Sequence, residues 1–315
     1  MASTALAVLT FAVFIRTFPP ITCAIHNHGF RGSLTRVHKH SSNYSAAVHR
    51  DTRRLAFLAP PPTTSPAIAL QALAENGVGA YHVSLSIGTP PLAFPAILDT
   101  GSDLLGVARF SYCLRSDAGA SPILFGSLAN VTTGEGVQST PLVRNPAVPV
   151  PRAPYYYVNL TGVRVGAADL PVTPATFGFT STGAGGVIVD SGTTFSYIAK
   201  AGYAMLERAF LSQTAGLLTR VSGAPFDFDL CFEAADVDAV SVPSLVLSFA
   251  GGAEYSVPRR SYFDAVDEEG RVACLLVLPT GGVSVIGNVM QMDLHLLYDL
   301  DGGTMSFAPA DCATI

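Results

Sequence analysis

The sequence predicts an all-β protein, and three observations carry that reading. Charged residues make up only 13% of the chain, against 49% hydrophobic. Turn formers are abundant, with 29 Gly and 22 Pro, and Val, Thr, Ser and Phe are spread throughout. Between the turn formers lie short apolar or alternating runs of strand length. The 315 residues suffice for one large or two smaller domains.

The first element is apolar. Residues 4–15 have the length of a signal-peptide core, Arg16 ends the run, and Thr22-Cys23-Ala24 offers small residues for cleavage. Residues 1–24 are therefore expected to be a signal peptide. The competing reading, a buried core helix, fits less well at the very start of a chain. No later segment is long and apolar enough to be a transmembrane helix, so no membrane association is expected.

The next segment is basic. Residues 25–78 hold Arg31, Arg36, Lys39, Arg50, Arg53 and Arg54 against only Asp51 and Glu75. From Gly79 onward there are 11 Lys+Arg and 21 Asp+Glu, a formal charge of −10. A basic leader before an acidic body suits a zymogen, with 25–78 as pro-segment and linker lying against the body or poorly ordered. The alternative is a merely solvated leader. Pro60-Pro61-Pro62-Thr63-Thr64-Ser65-Pro66 reads as an exposed linker and processing site. No nucleic-acid partner is expected.

Five cysteines are present, and Cys23 would leave with the signal peptide. Cys113, Cys231, Cys274 and Cys312 remain, an even number, widely spaced and without a C-x-x-C pair. That suits two long-range disulfides in an oxidising compartment better than a metal site. Sequons at Asn43, Asn130 and Asn159 point the same way. The expected destination is the secretory pathway, extracellular or vacuolar.

The chemistry-bearing residues come in two similar phrases. The alternating strand Tyr81-His82-Val83-Ser84-Leu85-Ser86-Ile87 ends at Gly88-Thr89-Pro90-Pro91; an apolar run then leads into Asp99-Thr100-Gly101-Ser102-Asp103. The second phrase is the buried strand Val187-Ile188-Val189 followed by Asp190-Ser191-Gly192-Thr193-Thr194. Either tripeptide alone is an ordinary turn; the pair, each behind an apolar strand, is specific. Two carboxyls held about 3 Å apart cannot both ionise and so share a proton. One acts as base on a water while the protonated one polarises a carbonyl. Glycine admits a backbone N–H beside the carboxylate, and the hydroxyls supply further hydrogen bonds.

At these residues the chain resembles the nepenthesin-type aspartic proteases, the pepsin-like group common in plants. The resemblance extends through Ile87-Gly88-Thr89-Pro90-Pro91, Phe110-Ser111-Tyr112-Cys113-Leu114, Tyr155-Tyr156-Tyr157-Val158, Asp229-Leu230-Cys231-Phe232, Val285-Ile286-Gly287-Asn288 and Ser306-Phe307-Ala308-Pro309. It covers about 79–312. It implies a catalytic dyad of Asp99 and Asp190. Thr100 and Ser191 would interlock beneath it, Ser102 and Thr193 would hold the outer carboxylate oxygens, and Gly101 and Gly192 would stand beside them. It further implies disulfides Cys113–Cys312 and Cys231–Cys274, two pseudo-symmetric β-lobes around a cleft, a peptide or protein substrate, no cofactor or metal, and a monomer.

The chain departs from that family between the two lobes. Leu104-Leu105-Gly106-Val107-Ala108-Arg109 bridges directly to Phe110, where the family has most N-lobe strands, a cysteine-rich insert and the flap hairpin. The expected organisation is thus an N-lobe remnant over 79–105 and a complete C-lobe over 106–315. So short a remnant cannot close its own core. It must join the C-lobe sheet or leave an exposed edge. Three explanations stand: a missing internal coding segment, a truncated non-catalytic homologue, or a protease with a rebuilt cleft.

A helix is expected over 200–217, with Tyr203, Leu206, Phe210 and Leu217 as its core face. His295 lies in an alternating strand and is assigned no role. The expected function is aspartic endopeptidase. The alternative is an inactive binding or inhibitor protein, since plant xylanase inhibitors are similar in scaffold and sequence but lack a complete dyad. A glycosidase using paired carboxylates would need neither the hydroxyl nor the glycine and would set them further apart.

Overall fold

Short apolar and alternating runs form the strands, and among the described residues three sheets collect them. The computed structural model describes residues 29–36, 44–58, 81–87, 92–100, 108–117, 119–131, 136–147 and 155–315. The expected signal peptide, the Pro-rich linker, Gly101, Ser102 and Asn43 lie outside the described residues.

Among the described residues the largest sheet has 13 strands. From one edge its order is Val277–Thr280, Ser196–Ala199, Ser284–Ile286, Val187–Val189, Tyr157–Val158, Gln138–Val143, Thr304–Pro309 and Leu294–Asp299. It continues with β4 (Arg109–Cys113), β5 (Ser121–Phe125), β1 (Phe30–Arg36), β2 (Tyr81–Ile87) and β3 (Leu92–Ile97). Two four-stranded sheets complete the β structure. One contains Cys231–Glu233 and Val272–Leu275, the other Leu160–Val165 and Leu245–Phe249.

The position of β1 decides how the N-lobe remnant is held. This leader strand pairs antiparallel with β5 from Phe30↔Phe125 to Leu34↔Ser121, and with β2 from Leu34↔Val83 to Arg36↔Tyr81. The β2–β3 hairpin meets the rest of the sheet through β1. The remnant therefore does join the large sheet, and the leader is the strand that joins it. The edge strand is β3.

The leader's second described element is α1 (Tyr44–Leu58). Its Ala47, Val48, Asp51 and Leu58 are buried at helical spacing. The apolar ones share a cluster with Ile188, Phe195, Tyr197 and Phe228. Tyr44 stacks on Phe195, ring centroids 5.8 Å apart. Both described leader segments thus lie against the body.

Elsewhere the core is strongly aromatic. Phe110 stacks on Tyr298 at 4.6 Å, and the Tyr112 hydroxyl donates to Gln291 Oε1 at 2.7 Å. Disulfides join Cys113 to Cys312 and Cys231 to Cys274; the second pair sits directly opposite across two neighbouring strands. Asn130 and Asn159 are exposed, and His295 is buried in Leu294–Asp299. The helix expected over 200–217 ends earlier, at Lys200–Thr214. Gly216 takes a positive φ of 74° that turns the chain. Tyr203, Leu206 and Phe210 are buried as expected, but Leu217 lies beyond the turn and is 71% exposed.

Candidate active site

Both aspartates stand just past the ends of strands. Leu98 follows β3 and its N–H donates to Tyr81 O at 2.8 Å, which holds Asp99 just past the end of the β2–β3 hairpin. Val187–Val189 runs parallel to Ser284–Ile286, and the Asp190 N–H donates to Ile286 O at 3.1 Å. The apolar character of these strands buries them, and a polar residue at the end of such a strand must find its partners inside.

Thr100 and Ser191 supply those partners reciprocally. The Ser191 N–H donates to Thr100 Oγ1 at 2.9 Å, and the Thr100 N–H to Ser191 Oγ at 3.2 Å. Each hydroxyl then donates across the divide, Thr100 to Val189 O at 2.9 Å and Ser191 to Leu98 O at 3.1 Å. Both side chains are fully buried. Four mutually satisfied bonds in a dry setting make a rigid link between the two motifs.

Asp190 is fully buried and held on both oxygens. Gly192 N–H donates to Oδ1 at 2.8 Å, and Thr193 Oγ1 to Oδ2 at 2.6 Å. Asn288 Nδ2 donates to Ser191 O at 3.0 Å and steadies the loop from behind. Gly192 has no room for a side chain: a Cβ there would stand 2.7 Å from Asp99 Oδ1 and 2.9 Å from Arg54 Nη2. Ser102 and Gly101, expected to serve Asp99 in the same way, lie outside the described residues.

Arg54 of α1 occupies the space between the carboxylates. Its Nε donates to Asp190 Oδ2 at 2.9 Å, and its Nη2 reaches Asp190 Oδ1 at 3.2 Å. The same Nη2 also donates to Asp99 Oδ1. Burial disfavours the guanidinium charge, but Asp190 and then Asp99 outweigh it and raise the arginine's pKa above its ordinary value. One turn earlier, Asp51 is fully buried and accepts from Thr194 N–H at 3.0 Å and Phe195 N–H at 2.9 Å. Arg50 donates to Thr194 Oγ1. The leader helix is thus fastened to the residues immediately after the second aspartate motif.

Sequence reading did not single out Arg50, Asp51 or Arg54. The available signal was the leader's excess of basic residues, which foretold contact with an acidic body but not which arginine makes it.

Two carboxylates at strand ends, interlocked by hydroxyls and with Gly192 beside them, have the arrangement expected of the pepsin-like aspartic protease family. The chain is a homologue of the plant pepsin-like aspartic proteases, and its residues 155–309 match the family described as xylanase inhibitor C-terminal. It is 34% identical over 241 residues to aspartic proteinase nepenthesin-1 of Nepenthes gracilis, covering 75% of this chain and 51% of that protein. It is 34% identical over 234 residues to aspartyl protease family protein 2 of Arabidopsis thaliana, covering 73% and 45%. The chain therefore spans about half the length of these relatives. Among solved structures it is similar in fold to edgp, with a TM-score of 0.54 at 21% identity, covering 65% of this chain and 55% of that one.

Proposed function

We propose that this chain is an aspartic endopeptidase held in a leader-blocked, zymogen-like state. The observation that carries the reading is the guanidinium of Arg54 laid across Asp99 and Asp190 while the Thr100–Ser191 link beneath them is intact. A water that attacks a peptide carbonyl must sit between the two carboxylates. Arg54 fills that position and replaces the shared proton with a positive charge. Release of α1 frees both carboxylates. One then deprotonates the water while the other, protonated, polarises the scissile carbonyl. Asp190, buried and held by Gly192 and Thr193, is the better ordered partner. Asp99 depends on the β2–β3 hairpin and on β1.

Turnover is expected to be low. The binding energy that a flap and a full set of N-lobe pockets would use to position substrate is not supplied by the short bridge from Asp99 to β4. The two disulfides and the exposed sequons at Asn130 and Asn159 support a secreted or vacuolar protein. The pairing of a single dyad within one chain supports a monomer acting on peptide or protein substrates.

The experiment compares the full chain with Arg54→Gln and Asp190→Asn variants on a quenched-fluorescence peptide library at acid pH. Cleavage that rises in Arg54→Gln, is blocked by pepstatin and vanishes in the double variant supports the reading. A chain inert in every form overturns it. A second reading then takes over: a binding protein, favoured by the match of 155–309 to a family described by xylanase inhibition and by the occupied dyad. That reading predicts that the purified chain slows an added endoxylanase.

A further inference from the structure

The leader helix α1 follows one track on the body. Arg54 lies on Asp190 and Asp99. One turn back, Asp51 accepts from the Thr194 and Phe195 N–H groups, and Arg50 donates to Thr194 Oγ1. At the start of the helix the Tyr44 ring stacks on Phe195 with centroids 5.8 Å apart and meets Phe228 edge-on at 6.3 Å. Phe195 and Phe228 themselves form a T-shaped pair at 5.1 Å. The helix thus holds one aromatic ring in a corner made by two others. From Tyr44 to Arg54, at about 1.5 Å of rise per residue, that corner lies roughly 15 Å from the dyad.

Tyr44 does not fill the space at this corner. A cavity of about 630 Å³ lies beside it, with Tyr44, Phe195, Leu276 and Val289 as apolar wall. Among the described lining residues Arg36, Arg259 and Arg260 are matched by Asp117, Asp264 and Asp293, so the rim favours neither sign of charge. The selective feature is the aromatic corner. Its two rings stand at 82° to each other, and rings that meet face and edge in this way prefer a third aromatic to a saturated group. Burial, and then Asp264, push the Tyr44 phenol up to about 12, so the ring that sits there is uncharged. Phe195 and Phe228 share their cluster with Ala47 and Val48 of α1, so undocking of the helix uncovers them.

We propose that the corner of Phe195 and Phe228 is a binding slot for an aromatic side chain of a bound peptide, and that Tyr44 occupies it while the leader is docked. The inference rests on the reading of α1 as the helix that blocks the site, and it adds a substrate class to that reading. An extended peptide advances about 3.3 Å per residue. Over the same roughly 15 Å, the slot therefore receives a Phe or Tyr about four or five residues from the cleaved bond.

The test has two arms. In the first, Tyr44→Ala empties the slot in the full chain while Asp51 and Arg54 still hold α1. The ligands, titrated calorimetrically, are p-cresol, which is the tyrosine side chain as a free molecule, and its saturated counterpart 4-methylcyclohexanol. p-Cresol is expected to bind Tyr44→Ala saturably and at least about tenfold more tightly than it binds the unsubstituted chain, where Tyr44 holds the slot. It should also bind the variant about threefold to tenfold more tightly than the saturated alcohol does, the ratio an aromatic pair supplies. Phe228→Leu in the same background should erase the preference for the ring. No saturable binding, equal binding of the two ligands, or a preference that survives Phe228→Leu overturns the proposal. Should that double variant fail to fold, the contrast between the two ligands on Tyr44→Ala decides alone. In the second arm, Arg54→Gln is given a randomised peptide library at acid pH. Phe and Tyr should be enriched several-fold at about the fourth or fifth residue from the cut, and Phe228→Leu should flatten that enrichment. Cleavage without it overturns the substrate assignment. No cleavage at all counts against the endopeptidase reading, and the slot then stands or falls on the p-cresol result.

Discussion

Replacing Asp51 by Asn should change how tightly the leader docks as a function of pH. Asp51 sits on α1 with no exposed surface, accepting from the Thr194 and Phe195 N–H groups, with Arg50 Nη2 at 3.7 Å and Tyr197 alongside. Burial pushes its carboxyl from an ordinary 3.8 up to about 6, against the opposing pull of the Phe195 N–H and Arg50. In the released leader the ordinary value returns. The docked state therefore holds its proton more tightly, and docking takes up a proton between about pH 4 and pH 6. The contribution is fully present below the free value and is lost as pH rises through the docked one. Its size is about 3 kcal/mol, or on the order of a hundredfold in the docking equilibrium. Asn cannot titrate, so the variant lacks this slope. Amide hydrogen exchange of α1, corrected for intrinsic rates, measures docking from pH 4 to 7. The contacts of Arg54 with Asp99 and Asp190 are present in both proteins, so their contribution cancels in the comparison. Protection in the unsubstituted chain relative to Asp51→Asn should fall by about two orders of magnitude across that range. Parallel curves for the two proteins would refute the reasoning.

Gly192→Ala should loosen the same docking by another route. The new Cβ would lie 2.7 Å from Asp99 Oδ1 and 2.9 Å from Arg54 Nη2, a crowding that costs about 1–3 kcal/mol; α1 amides should exchange faster, and unchanged exchange counts against the geometry. Removing the Cys113–Cys312 bridge with paired alanines frees a closure of 199 residues. Chain entropy puts the loss at up to about 5 kcal/mol. Urea unfolding should register most of it, and a change below about 1 kcal/mol would show that the unfolded chain is not restrained by that bridge.

What the sequence alone determined is local. Strand and turn alternate within a few residues, so Val187–Val189 with Asp190-Ser191-Gly192 behind it could be read without a fold, as could the strand Tyr81–Ile87. An even set of four widely spaced cysteines pointed to disulfides because compartment chemistry acts on residue type, not on position; their pairing came from family resemblance. The end of the helix near residue 217 was misjudged because a glycine turn at Gly216 outweighs one more apolar residue at helical spacing. Tertiary structure decided the rest. Whether a leader strand would enter between β5 and β2 depends on pairing across 45 to 95 positions of sequence (Arg36↔Tyr81 to Phe30↔Phe125), and hydrophobic periodicity carries no record of partners so distant. Six basic residues in the leader predicted attraction to an acidic body, since net charge acts at long range. That Arg54 lies on Asp99 and Asp190, and Asp51 beneath Thr194 and Phe195, follows from the angle at which α1 docks, and only close packing sets that angle.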